Sequence, residues 1–323
     1  MHKKLLKISI LTGIITIIAF YSYVLFFPMN TNTKIIEVEN GDRLGTISEK
    51  LYKNKIINSQ FLFKIYMYLT WNQNNLKTGE YSIPDGASLF EIKNTITSGR
   101  MYNKYLTIPE GLTIKQIFEI IDSYKDINGT ITESVNEGEL LPQTYAYNKS
   151  INKNDLIIKM KQAMTETINK EWENRQPNLP LKTKEEAIIL ASIVEKETGI
   201  PEERGLVASV FINRLNNNWR LQSDPTVVYT LTNKYGNMRG RRLYKKDLEV
   251  QTPYNTYKIK GLPKGPIANP GIDSIKAVLH PTPTDYFYFV ADGTGGHKFA
   301  KTLEEHEKNR SEWKKIRNKI GAY

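Results

Sequence analysis

The 323-residue sequence has no cysteine and only four histidines. Without thiols there can be no disulfide, no thiolate metal site and no cysteine nucleophile, although the absence does not identify the compartment. His2 lies in the N-terminal tail, and His280, His297 and His306 are not at metal-ligand spacing, so no metal is assigned. The stretch ADGTGGHK (291–298) is glycine-rich but lacks the G-x-x-x-x-G-K-[ST] spacing of a phosphate loop. It follows the strand-like YFYFV, so it reads as a β-hairpin turn, and no cofactor is implied. Acidic residues are also scarce: 34 Asp and Glu against 45 Lys and Arg leave a net charge of +11. Such a chain prefers polyanions: nucleic acid, anionic lipid or an acidic polymer. Hydrophobic residues at 40% and charged residues at 24% exclude a disordered chain and a multi-pass membrane protein. At roughly 100–200 residues per domain, the length predicts about two domains.

One long apolar run is present. Residues 8–27, ISILTGIITIIAFYSYVLFF, carry no charge, and at about 1.5 Å per residue they span about 30 Å, the thickness of a bilayer's hydrocarbon core. Lys3, Lys4 and Lys7 precede the run, which by the positive-inside rule keeps the N-terminus cytoplasmic. A cleaved signal peptide would have a shorter apolar region and an A-x-A-like site, whereas FFPMNTNTK follows here. Residues 1–28 therefore read as a cytoplasmic tail and single membrane span in the inner (cytoplasmic) membrane, with the rest on the periplasmic or outer face. Removing the three flanking lysines leaves 11 − 3 = +8 on that ectodomain. Nucleic acid is not available there and is dropped as a partner.

Three segments share one pattern, an alternating stretch, a glycine, then apolar residues at helical steps. They are IIEVENGDRLGTISEKL with Gly41, Leu44, Ile47 and Leu51; YSIPDGASLFEIKNTI with Gly86, Leu89, Ile92 and Ile96; and LTIPEGLTIKQIFEII with Gly111, Ile114, Ile117 and Ile121. Each predicts strand–turn–helix. Phe61, Leu62, Ile65 and Leu69 predict one face of a further helix, and Ile157, Met160, Met164 and Ile168 another. ENRQPNLPLKTK reads as a linker into the next domain.

The segment TKEEAIILASIVEKETGIPEE predicts a buried helix. Thr183 and Glu186 form a T-x-x-E capping box, Gly199 is placed to stop the helix and Pro201 prevents its continuation. Ala187 to Val194 is apolar on nearly every face apart from Ser192. Two carboxylates follow, Glu195 and Glu197, which at about 100° per residue point roughly 200° apart and cannot grip one bond together. Glu197 extends the stripe of Leu190, Ile193 and Val194. Burial and the negative end of the helix dipole would both favour its protonated form, which a general acid requires. The competing reading places both glutamates on a frayed, solvated helix end.

Downstream come VASVFINRL, LQSDPTVVY, TPYNTY, GLPKGPIANPG, HPTPTDYFYFVADGTGGHKF and KTLEEH. Together with ASIVEKETG, these motifs closely resemble the MltG (YceG-like) endolytic murein transglycosylases, over nearly the whole chain. The resemblance implies an α+β protein: a transmembrane helix, a LysM-like β-α-α-β module over 29–103, and a mixed α/β catalytic domain of lytic transglycosylase type over 104–323. It implies cleavage of the β-1,4 bond between N-acetylmuramic acid and N-acetylglucosamine in nascent peptidoglycan glycan strands. The product is a 1,6-anhydro-muramyl end, and the work is done beside peptidoglycan polymerases, ending strand growth. A LysM-like module would bind N-acetylated glycan; the alternative is a spacer that orients the catalytic domain. In the wider lytic transglycosylases the catalytic Glu precedes a Ser at a helix end, and Glu197-Thr198 is the matching step, with a one-turn ambiguity left open. Where a Leu-Phe-Pro-Asp-Thr-Tyr stretch is expected, the chain has Leu140-Leu141-Pro142-Gln143-Thr144-Tyr145, which puts a catalytic role there in doubt.

A hydrolytic glycosidase needs two carboxyl groups, whereas an anhydro-forming enzyme can work with one. Tyr254, Asn255 and Tyr257 are the first substrate-binding candidates, since amides and phenols hydrogen-bond N-acetyl and hydroxyl groups and tyrosine rings cover sugar faces. Core packing of the tyrosines is the alternative. Gln222, Ser223 and Asp224 come second, with Asp224 before Pro225 equally readable as a helix N-cap. GLPKGPIANPG reads as a rigid loop bordering the cleft. Two other functions remain to be separated: a non-catalytic peptidoglycan-binding scaffold and a lysozyme-type hydrolase.

Overall fold

A computed structural model describes residues 2–30, 32–236 and 241–319. The chain divides into two compact units, residues 1–105 with 146–151, and residues 106–145 with 152–323. Both are mixed α/β with small two-stranded sheets.

The first unit begins with α1 (His2–Phe26). Within it, Lys4–Phe26 is long and apolar enough to cross a membrane. Most of its side chains point outward without cover, but near its end Val24 is buried, and Phe20 and Tyr23 pack on the core of this unit. There follow β1 (Lys34–Val38), α2 (Leu44–Lys53), α3 (Gln60–Leu69), β2 (Gly79–Ile83) and α4 (Leu89–Ser98). Strands β1 and β2 pair antiparallel from Lys34↔Ile83 to Val38↔Gly79. Alternation turns Ile36, Val38, Tyr81 and Ile83 into the core, while Ile35 faces out. Gly41 and Gly86 sit at φ +91° and +70° in the turns before α2 and α4, where a side chain would be strained. Leu44, Ile47 and Leu51, and likewise Leu89, Ile92 and Ile96, are the buried stripes that the spacing predicted. Helix α3 forms where expected but on a different face: Phe63, Tyr66 and Met67 are buried, while Phe61 and Leu69 are exposed.

Strand β3 (Lys104–Thr107) pairs with β4 (Thr144–Tyr147), and in the second unit α5 (Ile114–Ser123) starts from a Thr113–Gln116 capping box. The helical core comprises α6 (Lys153–Glu173), α7 (Lys184–Glu197), α8 (Pro201–Asn216), α9 (Asp224–Tyr235) and α10 (Ile272–Leu279). Helix α7 is the centre: α6, α8, α9 and α10 all pack on it, and every residue from Ile189 to Val194 is buried. Burying one large apolar side chain such as Leu190 contributes about 2 kcal/mol, so charge at that position would break the unit. ENRQPNLPLKTK joins α6 to α7 inside this one unit and buries Leu181, so it is an internal loop and not a boundary. Last come the antiparallel hairpin β5 (Tyr288–Ala291) and β6 (His297–Ala300), joined by the glycine-rich turn, and α11 (Leu303–Lys319).

Candidate active site

Thr183 caps α7 by accepting the Glu186 N–H at 3.2 Å. The Glu186 carboxylate returns to the Lys182 N–H, one residue earlier than the reciprocal box predicted. The helix ends at Glu197, because Thr198 is already extended (φ −140°, ψ 134°) and Pro201 opens α8. The stop therefore comes before Gly199.

The two glutamates diverge as their spacing requires. Glu195 accepts the Gly271 N–H at 3.1 Å and the Ser274 hydroxyl at 2.7 Å, with the Arg204 guanidinium 3.8 Å away. It is thereby committed to the start of α10. Glu197 turns to the other side, where Ser223 donates its hydroxyl to Oε1 at 2.5 Å. Ser223 is itself buried and fixed, its N–H bonded to Thr256 Oγ1 at 2.9 Å. Thr226 Oγ1 donates to the Ser223 carbonyl at 2.6 Å and lies 2.9 Å from Thr256 Oγ1. Ser223 occupies the N-cap position of α9, yet its hydroxyl is turned to Glu197 and makes no cap. This corrects the reading of Asp224 as N-cap: Asp224 is the first helical residue, ahead of Pro225.

Burial pushes the Glu197 carboxyl up to about 7, working against the Ser223 hydrogen bond; the negative charge of Asp224 adds to the rise and the Arg214 guanidinium opposes it. A rise from the ordinary 4.5 to about 7 corresponds to about 3 kcal/mol in favour of the neutral acid. The protonated acid and the carboxylate are then both within reach near neutral pH, as an acid–base group requires. Arg214, on α8, is buried and anchored by the carbonyls of Phe287 and Leu221. Sequence reasoning passed over it. The one available signal was a cation inside the apolar run VFINRL, whose relation to Glu197 exists only after folding.

Tyr257 donates its hydroxyl to Asp224 at 2.6 Å, and burial, with Asp224 beside it, holds the phenol well above its ordinary pKa. Gln222, exposed, has φ +50° and donates its N–H to the Thr256 carbonyl at 3.2 Å. Glu197, Ser223, Asp224 and Tyr257 thus form one polar constellation with Arg214 behind it. Tyr254 lies apart from that hydrogen-bonded group: its ring is 5.1 Å from that of Tyr229, half in the core, and its hydroxyl would lie 3.2 Å from a Cβ at Gly265. Asn255 does not meet the expectation of a substrate contact. It is fully buried, and its amide donates to the carbonyls of Leu248 and Val250 and accepts the Tyr257 N–H, which makes it the pin of the Tyr254–Tyr257 loop. The Thr198 hydroxyl lies 3.3 Å from Glu203 and accepts the Ile200 N–H, so Glu197's hydroxyl partner in space is Ser223.

The loop GLPKGPIANPG is rigid for stated reasons. Ile267 donates to Ser192 Oγ at 3.0 Å. Buried Asn269 accepts the N–H groups of Gly138 and Leu140 and donates to the Leu112 carbonyl, all at 3.0 Å. Its amide also donates to Glu137, whose carboxyl burial pushes up to about 7. Gln143, the departure noted above, is exposed, whereas Tyr145 is buried with its hydroxyl on the Leu141 carbonyl. Among the described residues no three His, Asp or Glu side chains are grouped to hold a metal.

Comparison with known proteins gives consistent relatives. The model of the YceG-like family matches residues 36–312. An endolytic murein transglycosylase from Bacillus subtilis (strain 168) is 32% identical, across 92% of this chain and 90% of that protein. A protein of the same name from Streptococcus pneumoniae serotype 2 (strain D39 / NCTC 7466) is 28% identical across 90% of this chain; the chain spans 61% of that longer relative. The crystal structure of a YceG-like protein from Listeria monocytogenes is similar at a TM-score of 0.52 and 32% identity, covering 86% of this chain and 99% of that one.

Proposed function

The chain belongs to the YceG-like family, and on that premise we propose that it is an endolytic murein transglycosylase whose one catalytic acid and base is Glu197. The observation that carries the residue assignment is the Glu197 carboxyl itself. It closes a rigid buried helix, is held by a buried serine, and is raised to about 7 by burial. In the proposed reaction Glu197 protonates the glycosidic oxygen between N-acetylmuramic acid and N-acetylglucosamine as the bond to the muramyl anomeric carbon breaks. The substrate's N-acetyl group stabilises the developing cation. The muramyl 6-hydroxyl then attacks the anomeric carbon and gives its proton to the Glu197 carboxylate. A 1,6-anhydro end forms, the enzyme regains its starting protonation state, and no water is consumed. Ser223 orients the carboxyl between the two steps. Asp224 and Tyr257, the latter with a phenol that stays protonated, offer an acceptor and a polar aromatic edge to the sugars, with Gln222 and Tyr254 at the margin.

In this reading α1 anchors the protein in the inner membrane with its N-terminus cytoplasmic. The β-α-α-β order of the first unit supports a LysM-like glycan-binding module, and the enzyme acts on strands as polymerases extend them. The test is turnover of purified peptidoglycan by Glu197→Gln and Glu195→Gln side by side. Glu197→Gln should lose activity by about a thousandfold or more, the scale set by removing both an acid and a base step, while Glu195→Gln retains turnover in whatever fraction stays folded. The opposite pattern would move the chemistry to Glu195.

A further inference from the structure

The turn that follows α3 holds a residue that its backbone does not suit. Trp71 has φ +53°, the left-handed region that glycine usually fills at a helix end and that disfavours other side chains. The turn is well fixed: Asn72 N–H bonds to the Met67 carbonyl at 2.9 Å, Trp71 N–H to the Tyr68 carbonyl at 3.1 Å, and Asn72 Nδ2 to the Thr70 carbonyl at 2.7 Å. Yet the indole gains no burial within the protein, being 83% exposed, and Tyr68 and Leu69 beside it are 60% and 55% exposed. A local rule is broken with no return in packing, which marks a place where something other than folding is served.

The position of this tip relative to α1 says what it meets. Helix α4 starts where Met29 N–H donates to the Ala87 carbonyl and Ala87 N–H to Asn30 Oδ1, both at 3.0 Å, and α4 then packs on α1. All of α1 precedes residue 27, so α4 must run back along it. Helix α3 behaves alike. Asn58, just ahead of it, touches Met29 (Nδ2 to Sδ 3.9 Å), and Tyr66, further along, lies against α4 with Lys93 Nζ 5.3 Å from its ring centroid. The Lys77 ammonium donates to the Ser98 carbonyl and joins the far ends of this layer. Each helix has ten residues, or about 15 Å, which reaches back about ten residues along α1, to the level of Phe20 and Tyr21. There α1 carries Tyr21 and Tyr23, and Phe20, Tyr23 and Val24 pack on the unit's own core, so the lipid-facing part of the span ends near Phe20, roughly 17 residues from Lys4 and at the lower end of the length a span needs.

We propose that the Tyr68–Trp71 tip of the first unit dips into the outward-facing headgroup layer of the bilayer that α1 spans, so that span and tip together fix the height and tilt of the module. The partner is a phospholipid surface. Tryptophan and tyrosine favour this depth because the ring is apolar and its N–H or O–H stays wet, and a shallow apolar contact of about 5–10 Å suffices. An open polar depression beside the tip, lined by Asn72, Asn75, Lys77, Asn94 and Thr97, offers donors to phosphate and glycerol oxygens. Phe61 is as exposed, at 70%, but sits at the opposite end of α3, and the proposal leaves it in water.

The inference rests on the anchor reading, and one experiment separates the two. Because the chain has no cysteine, single cysteines can be introduced in the full chain with nothing else changed. Trp71→Cys, Phe61→Cys and Ile14→Cys are labelled with an environment-sensitive fluorophore and reconstituted into phosphatidylcholine–phosphatidylglycerol vesicles. Some vesicles carry a nitroxide on the acyl carbons nearest the headgroup and others a nitroxide at mid-chain. Expected results are loss of most Trp71→Cys emission with the headgroup-proximal nitroxide, loss at Ile14→Cys with the mid-chain nitroxide, and no loss at Phe61→Cys. If Ile14→Cys is quenched and Trp71→Cys is not, the tip proposal fails and the anchor stands, whether the unquenched label is in water or shielded by glycan or protein. If Ile14→Cys is not quenched, the anchor reading and this inference fall together. A second variant, Leu69→Cys, repeats the reading should Trp71→Cys disturb the turn.

Discussion

Glu197 and Glu195 are two residues apart and do unrelated work. Glu195 accepts bonds that start α10, and Glu197 accepts the Ser223 hydroxyl, with Asp224 and Arg214 near it. The sequence allowed this separation because helical geometry alone sends the two side chains to opposite faces, and the apolar stripe picks the face. It did not reveal Arg214 or the turning of Ser223 to Glu197, since those contacts join residues 17 to 26 positions away through tertiary folding. Asn255 shows the same limit: by sequence an amide beside two tyrosines reads as a sugar ligand, whereas in the fold it is buried and bonded to backbone carbonyls. Two consequences are measurable. Ser223→Ala removes a hydrogen bond that lowers the Glu197 pKa, so the alkaline limb of the pH–rate profile should move to higher pH and the rate should fall about tenfold. The second concerns stability. Below about 4.5 the carboxyl is protonated in both folded and unfolded chains; between that value and about 7 only the unfolded chain releases its proton. Folding stability therefore falls as pH rises through this window and is level above it. Thermal melts of wild type and Glu197→Gln between pH 4.5 and 8 should show a steeper decline in wild type, and parallel curves would contradict the shift. Glu137, raised in the same direction, is common to both proteins and drops out of the difference.

At the scale of elements, the three strand–glycine–helix units were legible because two periodicities meet at a glycine, and each appears at the predicted place. The face of α3 was not. Its sequence, QFLFKIYMYL, is apolar nearly all round, so spacing cannot choose between Phe61–Leu62–Ile65–Leu69 and the buried Phe63–Tyr66–Met67 set; the neighbouring helices chose. The proline-rich ENRQPNLPLKTK looked like a boundary by composition, but composition does not report that Leu181 is buried between helices. The loop GLPKGPIANPG is held chiefly by one side chain. Asn269→Ala would leave the buried Gly138 and Leu140 N–H groups without their acceptor, and it should destabilise the second unit by about 2–4 kcal/mol. Denaturant unfolding followed by the near-ultraviolet signal checks this, and a change under about 0.5 kcal/mol would mean that the loop is fixed by other contacts.

For the whole molecule, charge and hydropathy were informative from the start. The +11 divides into three lysines before an apolar span and +8 beyond it, and the wall's lactyl and peptide carboxylates are a polyanion such a surface attracts. Binding of the inactive Glu197→Gln chain to purified sacculi should weaken as salt rises from about 50 to 500 mM, since surface attraction is screened over that range; salt-independent binding would assign retention to other contacts. The path of the chain was not legible, because residues 146–151 return to the first unit after forty residues of the second, and no local signal records that return. The most direct measurement is mass spectrometry of the glycan ends released from purified peptidoglycan by wild type and by Glu197→Gln. The expected result is 1,6-anhydro-muramyl ends, lighter by one water than reducing ends, from wild type and almost none from the variant. Reducing ends alone from wild type, or anhydro ends still released by Glu197→Gln, would contradict a lytic reaction run by this one glutamate.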